Sequence, residues 1–181
     1  MKPSTGACWS VGLALLLAAC AAHPAADVPF LVTPPEIVER MLKLAGVRPD
    51  DVVYDLGSGD GRIVIAAARD FRAREAVGIE IDPALVTRSR EYARRAGVAD
   101  RVTFRKQDLF QADLSSATVV TLYLTREVNL RLRPKLLADL APGTRVVSFN
   151  FDMGDWEPTT MVRVDVSGRS VPVYLWIVPP R

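Results

Sequence analysis

The sequence predicts an α/β fold, in which a mostly parallel sheet ends in an antiparallel hairpin. Strand-like apolar stretches alternate along the chain with segments of helical periodicity, as in a parallel sheet with crossover helices. A buried strand, Val52 to Leu56, runs directly into a glycine-rich turn that is followed by a helix. Two alternating strands, Met161 to Val166 and Val171 to Val178, flank Ser167-Gly-Arg-Ser170, which is typical of a hairpin.

Composition indicates one domain of ordinary size. The 181 residues, 49% of them hydrophobic, supply one full core and little more. The formal net charge of +2 is near neutral and both signs are spread along the chain, so we expect no nucleic-acid partner. Two cysteines and one histidine exclude a disulfide framework and predict no metal site.

Residues 1–27 differ in character from the rest of the chain, and the main domain is expected to span residues 28–181. An apolar run, Val11 to Ala19, is too short to cross a bilayer but has the length of a signal h-region. Leu17-Ala-Ala-Cys20 resembles the lipobox of bacterial lipoproteins, which implies attachment to the membrane of the bacterial cell envelope through a lipidated Cys20. The alternative is an upstream start error, with a cytoplasmic protein that begins near Val28. The intact mass of the native protein distinguishes the two.

The first helix is predicted to start at a threonine cap. Thr33 takes the N-cap position, Pro34 the first helical position and Glu36 the third. The helix runs to about Ala45, where Gly46 stops it. Its apolar residues follow helical spacing and form one face for packing on the sheet.

The glycine-rich turn after the first strand is predicted to hold a ligand. Its glycines, at positions 57, 59 and 61, can adopt positive φ and let a ligand approach the main chain. The helix that opens at Gly61 or Arg62 offers unpaired N–H groups to an anionic group. Asp55 lies at the tip of the strand, and the next strand ends at Glu80, about 20 residues after the loop, which suits a carboxylate that binds ribose hydroxyls. Because the pattern is Gly-x-Gly-x-Gly, we expect a nucleoside cofactor without a pyrophosphate.

The remaining segments continue the alternation. Further helices are predicted over Ile63–Phe71, over Ala84–Ala96 behind Pro83, and over Glu127–Leu140, where Pro134 must kink or divide the helix. Further strands are predicted over Ala76–Glu80, Val102–Arg105, Thr118–Leu124 and Arg145–Phe149. The arginine-rich face of the helix behind Pro83 is typical of a solvated surface.

The loop sequence Asp55-Leu-Gly-Ser-Gly-Asp-Gly-Arg62 resembles the first motif of class I methyltransferases that use S-adenosylmethionine. Among these, the chain is similar to the small protein-lysine methyltransferases typified by a broad-specificity archaeal enzyme and its mitochondrial relatives. The other segments that carry the resemblance are Thr33-Pro-Pro-Glu36, Gly78-Ile-Glu-Ile-Asp82, Gln107-Asp-Leu-Phe110, Ala117 to Leu124, Leu132 to Leu136 and Pro142 to Ser148. This resemblance implies a Rossmann-like seven-stranded class I methyltransferase sheet, S-adenosyl-L-methionine as cofactor and protein lysine as acceptor. It also implies that the first helical segment is a lid over the methionine end of the cofactor, where structure alone requires only a packing helix.

The resemblance and the strand ends together predict the site residues. Cofactor-binding residues are Thr33, Asp55, Gly57, Ser58, Gly59, Gly61, Glu80, Asp108 and Leu109. Asp108, just past the third strand, can accept the exocyclic amine of adenine, although a plain turn aspartate is the alternative. The residues predicted to line the acceptor channel are Tyr123, Thr125 and Asn129 on one side, with Asn150, Phe151 and Trp156 on the other. Tyr123 and Asn129 are the predicted catalytic residues, whereas Phe151 and Trp156 could instead cap the sheet edge.

Two features bear on the acceptor. The fourth strand is not followed by Asn-Pro-Pro-Tyr or Asp-Pro-Pro-Tyr, the clamp for planar amides, which lowers the expectation of base methylation. The fifth strand ends in Ser148-Phe-Asn150 where the lysine family has Ser-His and an acid, so a small-molecule amine is an alternative acceptor. A third hypothesis is a non-catalytic cofactor-binding lipoprotein. The sequence leaves the oligomeric state open.

Overall fold

Seven strands form one mixed sheet in the computed structural model, which describes residues 31–181. The strands are β1 (Val52–Leu56), β2 (Glu75–Glu80), β3 (Val102–Lys106), β4 (Val119–Leu122), β5 (Arg145–Phe149), β6 (Thr160–Val166) and β7 (Arg169–Ile177). The helices are α1 (Pro35–Leu44), α2 (Arg62–Arg69), α3 (Pro83–Arg95) and α4 (Arg126–Asp139). The predicted leader and its Cys20 lie outside the described residues. Within residues 31–181 no helix has the length and apolar character needed to cross a membrane.

The strand order across the sheet is β3-β2-β1-β4-β5-β7-β6. Strands β1 to β5 pair in parallel, whereas β7 pairs antiparallel with both β5 and β6. This arrangement confirms the predicted seven-stranded sheet with its C-terminal hairpin. The chain moves outward from β1 to β3 and then builds β4 and β5 on the other side, so the strand order reverses between β1 and β4. In open α/β sheets a ligand binds at such a reversal, outside the carboxyl ends of the strands.

Helices cover both faces of the sheet, and each face has its own apolar core. Helices α1, α2 and α3 pack on one face through residues such as Met41, Val64 and Val86. Helix α4 packs on the other face through Leu132 and Leu136. Strand β1 is buried along its whole length, as expected for a central strand between two helical layers.

Helix α1 begins one residue later than predicted, and its predicted cap is wrong. Pro34 is the N-cap residue, and no side chain caps the helix. Because Pro34 precedes a second proline, its backbone is held extended, with ψ at 143°, and helical geometry starts at Pro35. Thr33 is thereby left outside the helix.

Helix α4 runs unbroken through Pro134, so the proline does not divide it. Leu132 and Leu136 lie on either side of the proline and are fully buried against the sheet. Packing of this apolar face on the sheet compensates for the helical hydrogen bond that Pro134 cannot donate, since proline has no backbone N–H.

Strand β4 is shorter than predicted at both ends, and its C-terminal end forms part of the site. Thr118 lies just before the strand, where its hydroxyl donates to Asp51 (2.7 Å) and accepts from the amide of Val52 (2.9 Å). At the other end the chain leaves the sheet at Tyr123, and the side chain of Thr125 caps α4. The stretch from Tyr123 to Thr125 therefore lies free of the sheet ladder, at its carboxyl edge.

Candidate active site

A cavity of about 510 Å³ opens at the carboxyl ends of the central strands, at the reversal of strand order. Its volume lies within the range of small-ligand pockets. All the predicted cofactor-binding and catalytic residues except Gly61 and Asn129 line it, namely Thr33, Asp55, Gly57, Ser58, Gly59, Glu80, Asp108, Leu109 and Tyr123. The structure therefore brings together residues from five separate segments of the chain.

The glycine loop has the predicted left-handed backbone, but two of its glycines make room for protein rather than for a ligand. The φ angles of Gly57 and Gly61 are 79° and 81°. A Cβ atom at Gly57 would lie 2.8 Å from Cδ2 of Leu124, and one at Gly61 would lie 2.5 Å from Cε1 of Phe104. These glycines therefore allow the loop to pack against the tip of β4 and against β3.

Glu80 anchors the loop to the end of β2. One carboxylate oxygen accepts from the amide of Gly59 (2.8 Å), and the other accepts from the amides of Ile81 (2.8 Å) and Asp82 (2.9 Å). The residue is buried and lines the cavity. A carboxylate has about four acceptor positions, so it retains capacity for a cofactor hydroxyl after these three bonds.

Asp55 is a buried acid whose charge changes near neutral pH. Its carboxylate accepts from the hydroxyl of Thr121 (2.6 Å) on the neighbouring strand. Burial, together with the nearby charges of Glu80 and Asp60, raises the pKa of Asp55 to about 7, although the hydrogen bond from Thr121 acts to lower it. A cation in the cavity would favour the ionised form.

The charge of the cavity suits a cationic nucleoside ligand. Its lining carries five acidic residues and two basic ones, which are Asp55, Asp60, Glu80, Asp82, Asp108, Arg62 and Arg131. S-adenosylmethionine carries a sulfonium and an ammonium group besides one carboxylate. The hydroxyl of Ser58, which lines the same cavity, is buried without a hydrogen-bond partner among residues 31–181. The residues present therefore fit this cofactor in charge, in cavity size and in unused hydrogen-bonding capacity.

The segment after β3 forms another wall of the cavity. Asp108 caps a single 3₁₀ turn by accepting from the amide of Phe110 (2.9 Å). The guanidinium of Arg131, from α4, lies 4.5 Å from the centre of the Phe110 ring. The predicted contact between Asp108 and adenine stays a prediction, since the capping role alone accounts for the carboxylate's position. No sequence pattern pointed to Arg131, because its pairing with Phe110 joins two distant elements.

The two predicted catalytic residues occupy different environments. Tyr123 lines the cavity, and its ring lies 4.6 Å from that of Phe149, centroid to centroid, at 49°. Burial raises the pKa of its phenol, which therefore stays protonated at neutral pH. Asn129 is fully buried and does not line the cavity. Its amide nitrogen donates to the hydroxyl of Ser148 (3.2 Å) and to the carbonyls of Phe151 (3.2 Å) and Asp152 (3.3 Å), so it braces the turn after β5.

The other residues predicted for the acceptor channel are not brought to the cavity. Thr125 caps α4, and Asn150 adopts a left-handed backbone with φ at 72° directly after β5. Trp156 packs on Trp176 at 5.9 Å between ring centroids and accepts the indole hydrogen bond of Trp176 (2.6 Å) through its carbonyl. Trp156 therefore covers the sheet near the hairpin. In the part of the chain from Leu31 onward, no group of three or more His, Cys, Asp or Glu side chains could hold a metal ion.

Comparisons with known proteins agree with this geometry. Residues 55–160 match the sequence profile of the ANTKMT methyltransferase domain. The chain is 44% identical over 151 residues to a protein-lysine N-methyltransferase of Saccharolobus islandicus (strain REY15A), covering 83% of this chain and 94% of that protein. It is 40% identical over 136 residues to the adenine nucleotide translocase lysine N-methyltransferase of Mus musculus, covering 75% of this chain but only 58% of the mouse protein.

A solved structure is similar across nearly its whole length. The crystal structure of an RNA methyltransferase from Salinibacter ruber, in complex with S-adenosyl-L-homocysteine, superposes with a TM-score of 0.78 at 57% identity. The match covers 83% of this chain and 95% of that one. The bound product of the cofactor in that structure supports the assignment of the cavity.

Proposed function

The chain belongs to the family of the ANTKMT methyltransferase domain, whose members use S-adenosylmethionine, and we propose that it transfers methyl groups to lysine side chains of proteins. The observation that carries the proposal is the 44% identity to a protein-lysine N-methyltransferase over 94% of its length. Such coverage includes the acceptor side of the site as well as the cofactor loop. The proposal for the acceptor does not rely on the mouse protein, of which the match covers only 58%.

Each part of the site has a role in this reaction that follows from its position. S-adenosylmethionine, when bound, supplies an activated methyl group on a sulfonium. Glu80 and the glycine loop orient the nucleoside, and the acidic lining, including Asp55, favours the positive charge of the ligand. Tyr123 borders the cavity next to the tip of β4, where it can hold an amine in line with the methyl group.

The amine must arrive without its proton, because an ammonium has no lone pair with which to attack. The raised pKa of Tyr123 means that its phenol can donate or accept a hydrogen bond at neutral pH but does not act as a ready-made phenolate base. The proton of the lysine therefore passes to a group other than Tyr123. The aromatic ring of Tyr123 can hold a partly methylated amine by cation–π attraction.

A transfer assay tests the acceptor class. We expect tritium from labelled S-adenosylmethionine to appear in a lysine-rich protein mixture and, after complete hydrolysis, in methylated lysine. Acetylation of the mixture beforehand converts its lysine amines to amides, which are not nucleophilic, and should abolish the signal. Panels of small amines and total RNA serve as parallel acceptors, the latter because a similar structure is described as an RNA methyltransferase.

Other patterns of label would contradict the proposal. Label found only in small amines would make the protein a small-molecule methyltransferase, and label found only in RNA would make it a nucleic-acid enzyme. Absence of label from all three, with the cofactor still bound, would support a cofactor-binding protein without turnover.

Cofactor affinity is expected to depend on pH through Asp55. Lowering the pH from about 8 to about 6 protonates a group whose pKa is about 7, and the cavity then has one negative charge fewer for the cationic ligand. S-adenosylmethionine should bind up to about tenfold more weakly at the lower pH, as measured by calorimetry. S-adenosylhomocysteine, which lacks the sulfonium, should show a shallower dependence.

The variant Asp55→Asn provides the control for this pH effect. It should bind more weakly at high pH and show a nearly flat profile, so an unchanged slope would exclude Asp55 as the titrating group.

In the ligand-free protein, raising the pH has the opposite effect, because it lowers the stability of the fold. The raised pKa of Asp55 stabilises the fold below about pH 4, and this contribution is lost as the pH rises to about 7, so Asp55→Asn should melt higher than the wild type at about pH 8.

A further inference from the structure

The segment from Leu31 to Pro34, just before α1, lies along the cavity with little side-chain packing to hold it. Leu31 lines the cavity although 58% of its surface is exposed, and Val32 is 53% exposed. Thr33 is buried and also lines the cavity. A segment with so few buried apolar contacts needs another attachment to stay in place.

That attachment is a hydrogen bond from Arg62. Its Nη1 atom donates to the main-chain carbonyl of Thr33 at 2.8 Å. The same guanidinium is fixed by Asp60 of the glycine loop, to which Nε donates at 2.9 Å and Nη2 at 2.6 Å. Two parallel bonds to one carboxylate hold the guanidinium plane in a single orientation.

The ion pair of Asp60 and Arg62 also lies between the cavity and a neighbouring groove. Asp60 and Arg62 line both the cavity and a groove of about 880 Å³ among α1, α2 and α3. The side chain of Arg62 thus joins the glycine loop to the segment before α1 at the edge where the cavity would otherwise meet the groove.

We infer that Arg62 is a positioning residue for the cofactor, which fastens residues 31–34 along the cavity and thereby slows the release of the bound ligand. Arg62 acts through the Thr33 carbonyl and is itself oriented by Asp60. The inference depends on cofactor binding and not on the acceptor, so a failure of the lysine assay would leave it intact.

Hydrogen exchange in the ligand-free protein tests the attachment directly. The reporters are the amides of Ile37 and Val38, which donate to the carbonyl of Pro34 at 3.0 Å each, immediately after the attached residue. In Arg62→Met these amides should exchange about ten- to a hundredfold faster, the factor expected for loss of a charge-assisted hydrogen bond. The dissociation rate of S-adenosylhomocysteine, followed by stopped flow, should rise by a similar factor.

Arg69→Met is a matched control on the same helix. Arg69 pairs with Asp70 through Nε (2.7 Å) and Nη2 (2.8 Å), yet this pair is exposed and does not contact residues 31–34. The control should change neither the exchange nor the dissociation rate. Amides of β1, monitored in the same spectra, should keep their wild-type exchange in both variants.

Three results would overturn the inference. Unchanged exchange with faster dissociation would mean that Arg62 contacts the cofactor itself. No change in either rate would mean that the hydrogen bond from Arg62 to Thr33 does not hold residues 31–34 in place. Faster exchange in β1 as well would make Arg62 a general stabiliser of the fold. Should Arg62→Met fail to fold, Arg62→Lys keeps a charge beside Asp60 but cannot bridge to Thr33 in the same way, and the same expectations apply to it.

Discussion

Replacing Glu80 by alanine is expected to weaken S-adenosylhomocysteine binding at least about a hundredfold. One part of the expected loss is the predicted hydrogen bond from a ribose hydroxyl to this charged acceptor, since such a bond contributes about 1.5–3 kcal/mol. The other part comes from the loop, because the amide of Gly59 loses the carboxylate that holds it in position. Titration calorimetry on the folded variant measures the change.

Two further variants show whether the effect belongs to this carboxylate. Glu75→Ala changes an exposed glutamate at the opposite end of β2 and should leave the affinity unchanged. Glu80→Gln keeps the shape but places an amide among three main-chain donors, so it should bind more weakly than the wild type. A wild-type dissociation constant in a folded Glu80→Ala protein would show that Glu80 does not hold the cofactor.

Replacing Tyr123 by alanine is expected to lower methyl transfer by about a hundredfold while cofactor affinity changes little. The ring lies at the carboxyl end of β4 and packs on Phe149, whereas the glycine loop is held by Glu80 on another strand. In the proposed reaction, loss of the ring removes a wall that positions the amine, and positioning acts on the barrier of the transfer step. Single-turnover transfer and calorimetry, carried out on the same preparation, separate the two effects.

Controls for Tyr123 distinguish its ring from its hydroxyl. Tyr123→Phe keeps the ring and should retain most of the activity if the ring forms the wall, or lose as much as alanine if the hydroxyl orients the amine. Tyr92→Ala removes an exposed tyrosine that lines the groove among α1, α2 and α3 and not the cavity, and it should have no effect. A Tyr123→Ala protein that transfers at the wild-type rate would remove this residue from the active site.

Much of the fold and of the cofactor side could be predicted from the sequence because the information is local. One βαβ unit carries the strand, the glycine loop, the following helix and the acid at Glu80, and its strand–loop–helix order requires those groups to meet at one edge. Alternating apolar segments likewise indicated the parallel strands and the hairpin. The predicted start of the first helix was wrong by one residue. Threonine is a common N-cap, but Pro35 restricts the backbone of the preceding Pro34 to an extended conformation, so Pro34 becomes the N-cap instead of Thr33.

Side-chain direction across distant elements could not be predicted in this way. Asn129 and Trp156 were placed on the acceptor side by their position after a strand, but tertiary packing points Asn129 at Ser148 and Trp156 at Trp176.

The sequence by itself determined the sheet, the glycine loop, the position of the acid Glu80 beside that loop and the class of reaction, since these follow from short-range order and from a motif within one segment. Only the tertiary structure decided which of the residues predicted for the acceptor channel reach the cavity. It also decided that Arg62 donates to the carbonyl of Thr33 and that burial raises the pKa of Asp55 to about 7. Each of these depends on atoms that are far apart in the chain and become neighbours only when the helices pack on the sheet.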